Sequence, residues 1–331
     1  MPTVHIAIYS KFHFNFTPME IDMQKLIGQV MSIEINHIVQ QCPQPFLHIF
    51  IAIVLYRVAS IAIPRVLFLI TCIPLLVLML VLSVCFEHLA FLRFISKHTS
   101  QSCCTFLWCF LMRVWIFFNP QIKVKNQAEE ARDISKDIPN GSIILVNHTS
   151  YFDAPMAVST MAFSAMPRIR TCYKASLKYI PIFGNIPKYC GHFPVYFTKD
   201  ADNDFSVDRK RQNEVNNEIN SLLLEKKGIL MIFPEGQLSK NAKQLQPFRH
   251  GSFAMALQHK PKIYALLHYE TNRTWPRGYS LGGLGATIQY ELIQLDVNYN
   301  DKNGVCTSAS TLSDHCQAMM QKRLDRLSSK K

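Results

Sequence analysis

The sequence lacks the short signatures of several common protein classes. It has ten cysteines and twelve histidines, but no C-x-x-C, H-E-x-x-H or H-x3-H spacing, so we expect no bound metal. It also lacks G-x-S-x-G, the nucleophile elbow of many serine hydrolases. Zinc-finger spacing, RNA-recognition signatures and basic runs interleaved with aromatic residues are missing too. Nucleic acid is therefore not an expected partner.

Acidic residues are scarce relative to basic ones. The chain has 23 Asp and Glu against 35 Lys and Arg, a formal charge of +12. This excess favours an anionic partner, either an anionic lipid surface or a phosphate-rich substrate. The cysteines form no short disulfide framework, and several lie in apolar segments. We therefore expect free thiols in a reducing compartment, with the folded domain facing the cytosol.

One long uncharged segment predicts a membrane helix. Residues 66–86 carry no charge, and as a helix they would extend about 31 Å, enough to cross the hydrocarbon core of a bilayer. Residues 46–63 predict a second, weaker helix after which Pro64 and Arg65 form a break. Arg57 near its middle leaves two interpretations open, a membrane helix and a buried or interfacial one.

The next segment, residues 104–118, is rich in aromatic residues and contains Arg113. It predicts a helix in the headgroup region, with an ordinary buried helix as the alternative. Residues 1–45 lack the charged start, apolar middle and small-residue cleavage site of a signal peptide, and we assign them no role. We therefore predict three parts: residues 1–45 of unknown role, membrane and interfacial helices in residues 46–118, and a catalytic domain in residues 119–331.

The last part has the pattern of an α/β domain. Short β-branched or apolar runs alternate with helical stretches at about 205–227 and 250–260. The pattern predicts a mixed, mostly parallel sheet covered by helices, preceded by an N-terminal hydrophobic helical anchor. Ligand sites of such sheets gather in loops at strand ends. The predicted strands are residues 142–147, 168–173, 193–197, 228–233, 263–268 and 286–295.

Two motifs stand at predicted strand ends. The first runs from Asn147 to Asp153, N-H-T-S-Y-F-D. Its His148 is placed to enter a cleft, and the carboxylate of Asp153 could fold back onto the imidazole Nδ1–H, which leaves Nε2 as a base. Twelve histidines make this spacing common by chance, so the spacing alone is weak support.

The second motif is F-P-E-G, which follows the predicted strand at 228–233 and precedes a polar, basic loop. It consists of Phe233, Pro234, Glu235 and Gly236. Alone, it could be a tight turn with a surface glutamate. Two such motifs at strand-to-loop junctions of one domain are harder to explain as coincidence.

With these residues the chain resembles the 1-acylglycerol-3-phosphate acyltransferase family. The first motif is similar to that family's N-H-x-S-x-x-D block and the second to its F-P-E-G block. The basic and glycine-containing segment at 247–253 and residues 174–184 also resemble family segments. The resemblance covers roughly residues 123–267, and a hydrophobic segment before the domain is usual in the family.

The resemblance implies transfer of an acyl group from acyl-CoA to a hydroxyl, with acyl-CoA as a substrate and no bound cofactor. His148 would take the hydroxyl proton, and Asp153 would orient the imidazole and stabilise its charged form. The expected acceptor is lysophosphatidic acid and the product phosphatidic acid, at a membrane of the endoplasmic reticulum. The resemblance and the charge pattern place these residues at the substrates: Asn147, Ser150, Lys199, Phe233, Pro234, Glu235, Gly236, Lys240, Lys243, Arg249 and Gly251.

The chain departs from the family where the acceptor is recognised. Members that act on lysophosphatidic acid often continue E-G-T-R, whereas Leu238 stands here in place of the arginine, and leucine cannot bind phosphate. Lys199 replaces another common arginine and offers a point charge without the bidentate fork. The acceptor could therefore be a lysophospholipid with a larger head group, or a phosphate bound by Lys199, Lys240 or Lys243.

Two other classes of function remain open from the sequence. The chain could be an ester hydrolase with Ser150 as nucleophile, but Ser150 is only two residues from His148 and no elbow surrounds it. It could also be a catalytically inactive lipid-binding relative. The presence of both His148 and Asp153 argues against that alternative.

Overall fold

A computed structural model describes residues 44–128, 133–197, 207–300 and 306–329. By packing, the chain divides into two units, with the boundary between Ser60 and Ile61. The second unit contains the sheet and both sequence motifs.

Within the described residues, seven strands form one mixed sheet. The strands are β1 (Ile122–Asn126), β2 (Ile143–Val146), β3 (Ile169–Lys174), β4 (Phe193–Val195), β5 (Ile229–Ile232), β6 (Ile263–Tyr269) and β7 (Ala286–Gln294). Their order is β1-β7-β6-β2-β5-β3-β4, and all neighbours are parallel except the antiparallel pair β6 and β7. The predicted fold class, a mixed and mostly parallel sheet covered by helices, is confirmed.

The six predicted strands are all present, with ends shifted by up to two residues, and β1 is the one that the sequence did not indicate. In β1 only Ile122 is buried, and the other four residues are exposed. An edge strand of this kind carries little of the alternating hydrophobic signal on which strand prediction depends. Its place in the sheet comes from parallel pairing with β7.

Helices cover both faces of the sheet. The described helices are α1 (Gln44–Phe91), α2 (Lys97–Phe117), α3 (Asp153–Ser159), α4 (Ile186–Tyr189), α5 (Arg209–Leu224), α6 (Gly251–His259), α7 (Thr271–Thr274) and α8 (Ala309–Ser329), with short 3-10 turns at Ile134–Asp137, Met166–Arg168 and Ala175–Tyr179. The two predicted helices are α5 and α6, which pack with α8 on one face, while α1, α2 and α3 pack on the other.

The helix α8 was not predicted, although it contributes a full apolar stripe to the core. Five of its side chains are completely buried at spacings of three or four residues: Leu312, Cys316, Met320, Leu324 and Leu327. Such spacing places them on one helix face. Charged and polar residues lie between these buried positions in the sequence. The segment as a whole is therefore not very hydrophobic, and the sequence did not indicate the helix.

The first described helix is continuous, which corrects the expected break at Pro64 and Arg65. α1 has 48 residues and contains both Pro64 and Pro74, and at 1.5 Å per residue it is about 72 Å long. It is therefore much longer than the hydrocarbon core of a bilayer, about 30 Å thick. Within residues 66–86, Phe68 and Met79 are buried while Ile70 is 62% exposed, so one face packs on the sheet unit and the other remains open.

The helix α2 also has one protein-facing side. Cys104, Cys109 and Trp115 are buried, and Arg113 donates from Nε to the carbonyl of Ser159 at 2.8 Å. On the outer side Phe106 and Phe110 are each 38% exposed and stack on each other. One side of the helix is therefore buried, and a position of the other side in the headgroup region stays a prediction.

Both α1 and α2 are long and apolar enough to span a membrane. Their length and apolar composition meet these two criteria. They are candidate membrane segments, and α1 is the candidate anchor.

Candidate active site

The two sequence motifs meet because their strands are neighbours. In the parallel pair of β2 and β5, Leu145 is opposite Ile232. The chains therefore leave the sheet at the same edge, β2 toward His148 and β5 directly into Phe233. Parallel strands place their carboxyl ends together, where α/β folds form ligand sites.

His148 is oriented by Asp153. The Nδ1 atom of His148 lies 3.2 Å from Oδ2 of Asp153, whose side chain is completely buried. The same carboxylate oxygen accepts the backbone N–H groups of Thr149 and Ser150 at 2.5 and 2.7 Å. These bonds hold the loop in a tight turn, so the five-residue spacing in the sequence brings the imidazole and the carboxylate together.

The other ring nitrogen of His148 remains available. Its Nε2 makes no hydrogen bond within the described part of the chain, and the side chain is 21% exposed. The ring packs against Phe233, with centroids 4.3 Å apart. The aromatic contact and the Asp153 bond fix the imidazole while Nε2 can still reach a substrate, which is the geometry of a general base.

Glu235 ties the two motifs to each other. Its Oε1 accepts the backbone N–H of His148 at 2.7 Å, and its Oε2 accepts the backbone N–H of Gln246 at 2.9 Å. A third link runs from the backbone N–H of Ser239 to the carbonyl of His148 at 2.6 Å. Glu235 is 1% exposed, so its buried carboxylate holds the loop of His148 through these hydrogen bonds.

Burial raises the pKa of the Glu235 carboxyl from its usual 4.5 to about 7. The two backbone N–H donors and the nearby His148 act in the opposite direction, since they favour the ionised form. The loss of hydration outweighs them. The Glu235 carboxyl therefore changes its charge within the physiological pH range.

Asn147 and Ser150 support the loop through hydrogen bonds to neighbouring segments. The side chain of Asn147 accepts the backbone N–H of His268 at 2.7 Å and donates to the carbonyl of His268 at 2.9 Å, which joins the ends of β2 and β6. The Ser150 hydroxyl donates to the carbonyl of Trp275 at 2.8 Å. Both side chains have structural partners, and their predicted contacts with substrate stay predictions.

The F-P-E-G loop needs its glycine for the turn. Gly236 has a φ of 69°, a left-handed conformation that favours glycine. The carbonyl of Pro234 accepts the backbone N–H of Arg249 at 2.7 Å, and the Arg249 side chain passes over Gly236. The predicted residue Arg249 therefore lies at the loop, whereas Gly251 begins α6.

The three predicted lysines have different positions. Lys240 lines a polar cavity of about 130 Å³, together with Thr149, Ser239, Ala242, Asn272, Pro276 and Arg277. Lys243 is exposed and does not line this cavity. Lys199 lies outside the described residues.

Sequence reasoning missed two residues near the motifs. His268 lies at the end of β6, beside β2, and burial lowers its pKa to about 4, although the charge of Asp153 acts in the opposite direction. Arg277 lines the cavity beside Lys240. A signal for His268 was available, because a second histidine ends a predicted strand. Arg277 follows α7 in an irregular segment and carried no sequence signal.

The site therefore combines an oriented imidazole with a free Nε2, a buried carboxylate and a basic cavity. Among residues 44–128, 133–197, 207–300 and 306–329, no group of three or more His, Cys, Asp and Glu side chains is arranged to hold a metal ion. The imidazole can remove the proton of a bound hydroxyl, and the basic cavity can bind an anionic group of the same molecule.

Comparisons with known proteins support an acyltransferase domain. Residues 121–268 match the family model described as Acyltransferase, a range that includes both motifs. Searching curated protein sequences gives no match. Among solved structures, the chain is similar to the crystal structure of the 1-acyl-sn-glycerophosphate (LPA) acyltransferase PlsC from Thermotoga maritima. The TM-score is 0.55 at 15% sequence identity, over 78% of this chain and 96% of that one.

The structural likeness shows a shared fold. The family model and the fold together support the resemblance to the 1-acylglycerol-3-phosphate acyltransferase family that the motifs indicated.

Proposed function

We propose that this chain, which is an acyltransferase, transfers an acyl group from acyl-CoA to the free hydroxyl of lysophosphatidic acid and so forms phosphatidic acid. The observation that carries the proposal is the 3.2 Å contact between His148 and buried Asp153 beside the basic cavity. The base suits a hydroxyl acceptor, and the cavity suits an anionic head group. The PlsC enzyme with the same fold is described as acting on 1-acyl-sn-glycerophosphate.

In the proposed reaction, Nε2 of His148 removes the proton of the acceptor hydroxyl while the hydroxyl oxygen attacks the thioester carbonyl carbon. The tetrahedral intermediate collapses with cleavage of the carbon–sulfur bond. The imidazolium returns the proton to the departing thiolate, so coenzyme A leaves as a thiol and the histidine is neutral again. No covalent acyl-enzyme forms in this scheme, because the acceptor hydroxyl takes the place of a serine nucleophile.

The carboxylate of Asp153 has two tasks in this scheme. It holds Nδ1 of His148 in the protonated tautomer, which leaves the Nε2 lone pair directed at the acceptor. It also stabilises the imidazolium that forms during attack. Its bonds to the N–H groups of Thr149 and Ser150 keep the carboxylate fixed, so little reorganisation is needed when the charge develops.

We place the enzyme at a membrane of the endoplasmic reticulum with the catalytic unit in the cytosol. The apolar exposed faces of α1 and α2 support an integral or interfacial position, and the net charge of +12 favours an anionic lipid surface. At that position, a lysophospholipid could reach His148 without leaving the bilayer surface completely.

The function is tested with the purified full-length chain in lipid nanodiscs and labelled palmitoyl-CoA. Acceptors to compare are lysophosphatidic acid, lysophosphatidylcholine, lysophosphatidylethanolamine and glycerol 3-phosphate. We expect labelled phosphatidic acid as the main product, and none with the His148→Ala variant. Acylation of only the choline or ethanolamine acceptor would instead identify a remodelling enzyme for lysophospholipids with larger head groups.

A further inference from the structure

We propose that the cavity beside His148 binds the phosphate monoester of the acceptor, with Arg277 as its main ligand and Lys240 as the second. The inference rests on the proposed function and deepens it by naming the residues that select the head group. Arg277 lies outside the segment that matches the family model and outside every motif in the sequence.

The cavity has the charge that a phosphate requires. Its lining includes two cations, Arg277 and Lys240, and no carboxylate. Within the described parts of the chain, neither cation pairs with an acidic side chain, whereas nearby Arg273 pairs with Glu270 at 3.2 Å. A phosphate monoester carries nearly two negative charges at neutral pH, so two unpaired cations can compensate it.

The cavity is also at the right place relative to the base. Thr149, in its lining, directly follows His148, and Ser239, also in its lining, donates its backbone N–H to the carbonyl of His148 at 2.6 Å. In lysophosphatidic acid the phosphate is attached to a carbon next to the one that carries the reacting hydroxyl. A phosphate site close to the base therefore matches the acceptor, because a long pantetheine arm separates the phosphates of coenzyme A from the thioester.

The segment that carries Arg277 is fixed to the catalytic loop. The hydroxyls of Thr149 and Thr271 are 3.1 Å apart, and Ser150 donates to the carbonyl of Trp275 at 2.8 Å. These contacts hold the segment at the two ends of α7. Binding groups that are already positioned lose less entropy when a ligand arrives.

The guanidinium of Arg277 lies at Leu238, where the family resemblance led us to expect an arginine. Nη1 of Arg277 donates to the backbone carbonyl of Leu238 at 3.1 Å. This bond uses one of its five N–H donors and orients the planar group, and the other donors can bind phosphate oxygens in a bidentate manner. Arg277 therefore supplies, from another segment of the chain, the positive charge that Leu238 cannot provide.

The test uses the full-length enzyme in nanodiscs and measures kcat and KM for lysophosphatidic acid and, separately, for palmitoyl-CoA. Arg277→Gln should raise the KM for lysophosphatidic acid by roughly 10- to 150-fold, the effect of losing a charge-assisted hydrogen bond. The kcat at saturating acceptor and the KM for palmitoyl-CoA should stay within about twofold of wild type. Lys240→Gln should act in the same direction with a smaller effect.

Two further variants separate binding from structure. Arg277→Lys keeps the charge but loses the bidentate guanidinium. We therefore expect a KM for lysophosphatidic acid between that of wild type and that of Arg277→Gln. Leu238→Arg combined with Arg277→Gln should recover much of the affinity, because the new guanidinium can reach the same phosphate. Arg273→Gln is the matched control: it removes an exposed arginine from the same segment that does not line the cavity, and its KM should equal that of wild type.

The outcomes distinguish the inference from the proposed function. If wild type transfers no acyl group to lysophosphatidic acid, the function fails and the inference fails with it. If wild type is active but Arg277→Gln leaves the acceptor KM unchanged, only the inference is wrong. If that variant instead raises the KM for palmitoyl-CoA, the cavity binds a phosphate of the donor and the assignment to the acceptor is overturned.

Discussion

The backbone N–H of His148 donates to the buried carboxylate of Glu235 at 2.7 Å. This bond joins the first sequence motif to the second across 87 residues of chain. Because the other carboxylate oxygen holds the backbone of Gln246, Glu235 fixes the loop that carries the base to the loop that follows β5. It acts on the reaction through the position of His148.

His148→Ala should lower acyl transfer by on the order of 10³-fold, because removal of a general base typically costs 10²- to 10⁴-fold. Folding should be unaffected, since the side chain is partly exposed. The measurement is turnover of labelled palmitoyl-CoA with lysophosphatidic acid, together with thermal unfolding. The control is His315→Ala, outside the site. Turnover like that of wild type in His148→Ala would refute the mechanism.

Asp153→Asn should lower kcat nearly as much and also destabilise the loop. One carboxylate oxygen of Asp153 accepts three donors, from His148, Thr149 and Ser150. The oxygen of a neutral amide is a weaker acceptor for these donors and stabilises the imidazolium less, and an amide NH₂ turned toward Nδ1 would favour the wrong tautomer of His148. A variant with full kcat would show that His148 needs no carboxylate partner.

Glu235→Gln should lower kcat although the residue does not contact the reacting groups in our scheme. Glutamine can accept only one of the two backbone N–H groups, so either His148 or Gln246 loses its buried acceptor, at a cost of about 1–3 kcal/mol in stability. The free energy of unfolding from denaturant titration and kcat are measured together. Glu218→Gln, on the exposed side of α5, is the control and should change neither quantity.

The same variant gives a pH prediction. The Glu235 carboxyl has a pKa of about 7 in the folded chain against a usual value of 4.5, so between these values the folded state binds more protons than the unfolded state. The contribution of this group to stability must therefore fall as the pH rises from about 4.5 to 7. When the pH is raised from 5 to 8, the Tm of wild type should fall relative to the Tm of Glu235→Gln. An unchanged difference would contradict the raised pKa.

Trp115→Ala should destabilise the catalytic unit by about 3–5 kcal/mol, as expected for a large buried aromatic residue. Trp115 is 3% exposed, and its Nε1–H donates to the carbonyl of Phe68 at 3.0 Å. Phe117→Ala is the matched control, because Phe117 belongs to the same helix but is 79% exposed. Equal stability of the two variants in detergent would show that α2 is not part of the folded unit.

The sequence by itself determined the strand pattern, the fold class and the resemblance. Alternating apolar runs indicated six of the seven strands, because buried strands are short, β-branched and bounded by turns. The histidine and F-P-E-G motifs could be recognised at strand ends, because each motif consists of residues that are close together in the sequence. The pairing of His148 with Asp153 was predictable for the same reason, as both belong to one turn.

Only the tertiary structure decided which distant segments meet. Sheet order places β2 between β5 and β6, and this brings Glu235 and His268 to the loop of His148 from far along the chain. The continuity of α1 through Pro64 and the place of Arg277 beside Leu238 likewise depend on packing between segments. Local patterns carry no information on such contacts, because they arise from burial and hydrogen bonding that form only when the whole sheet is assembled.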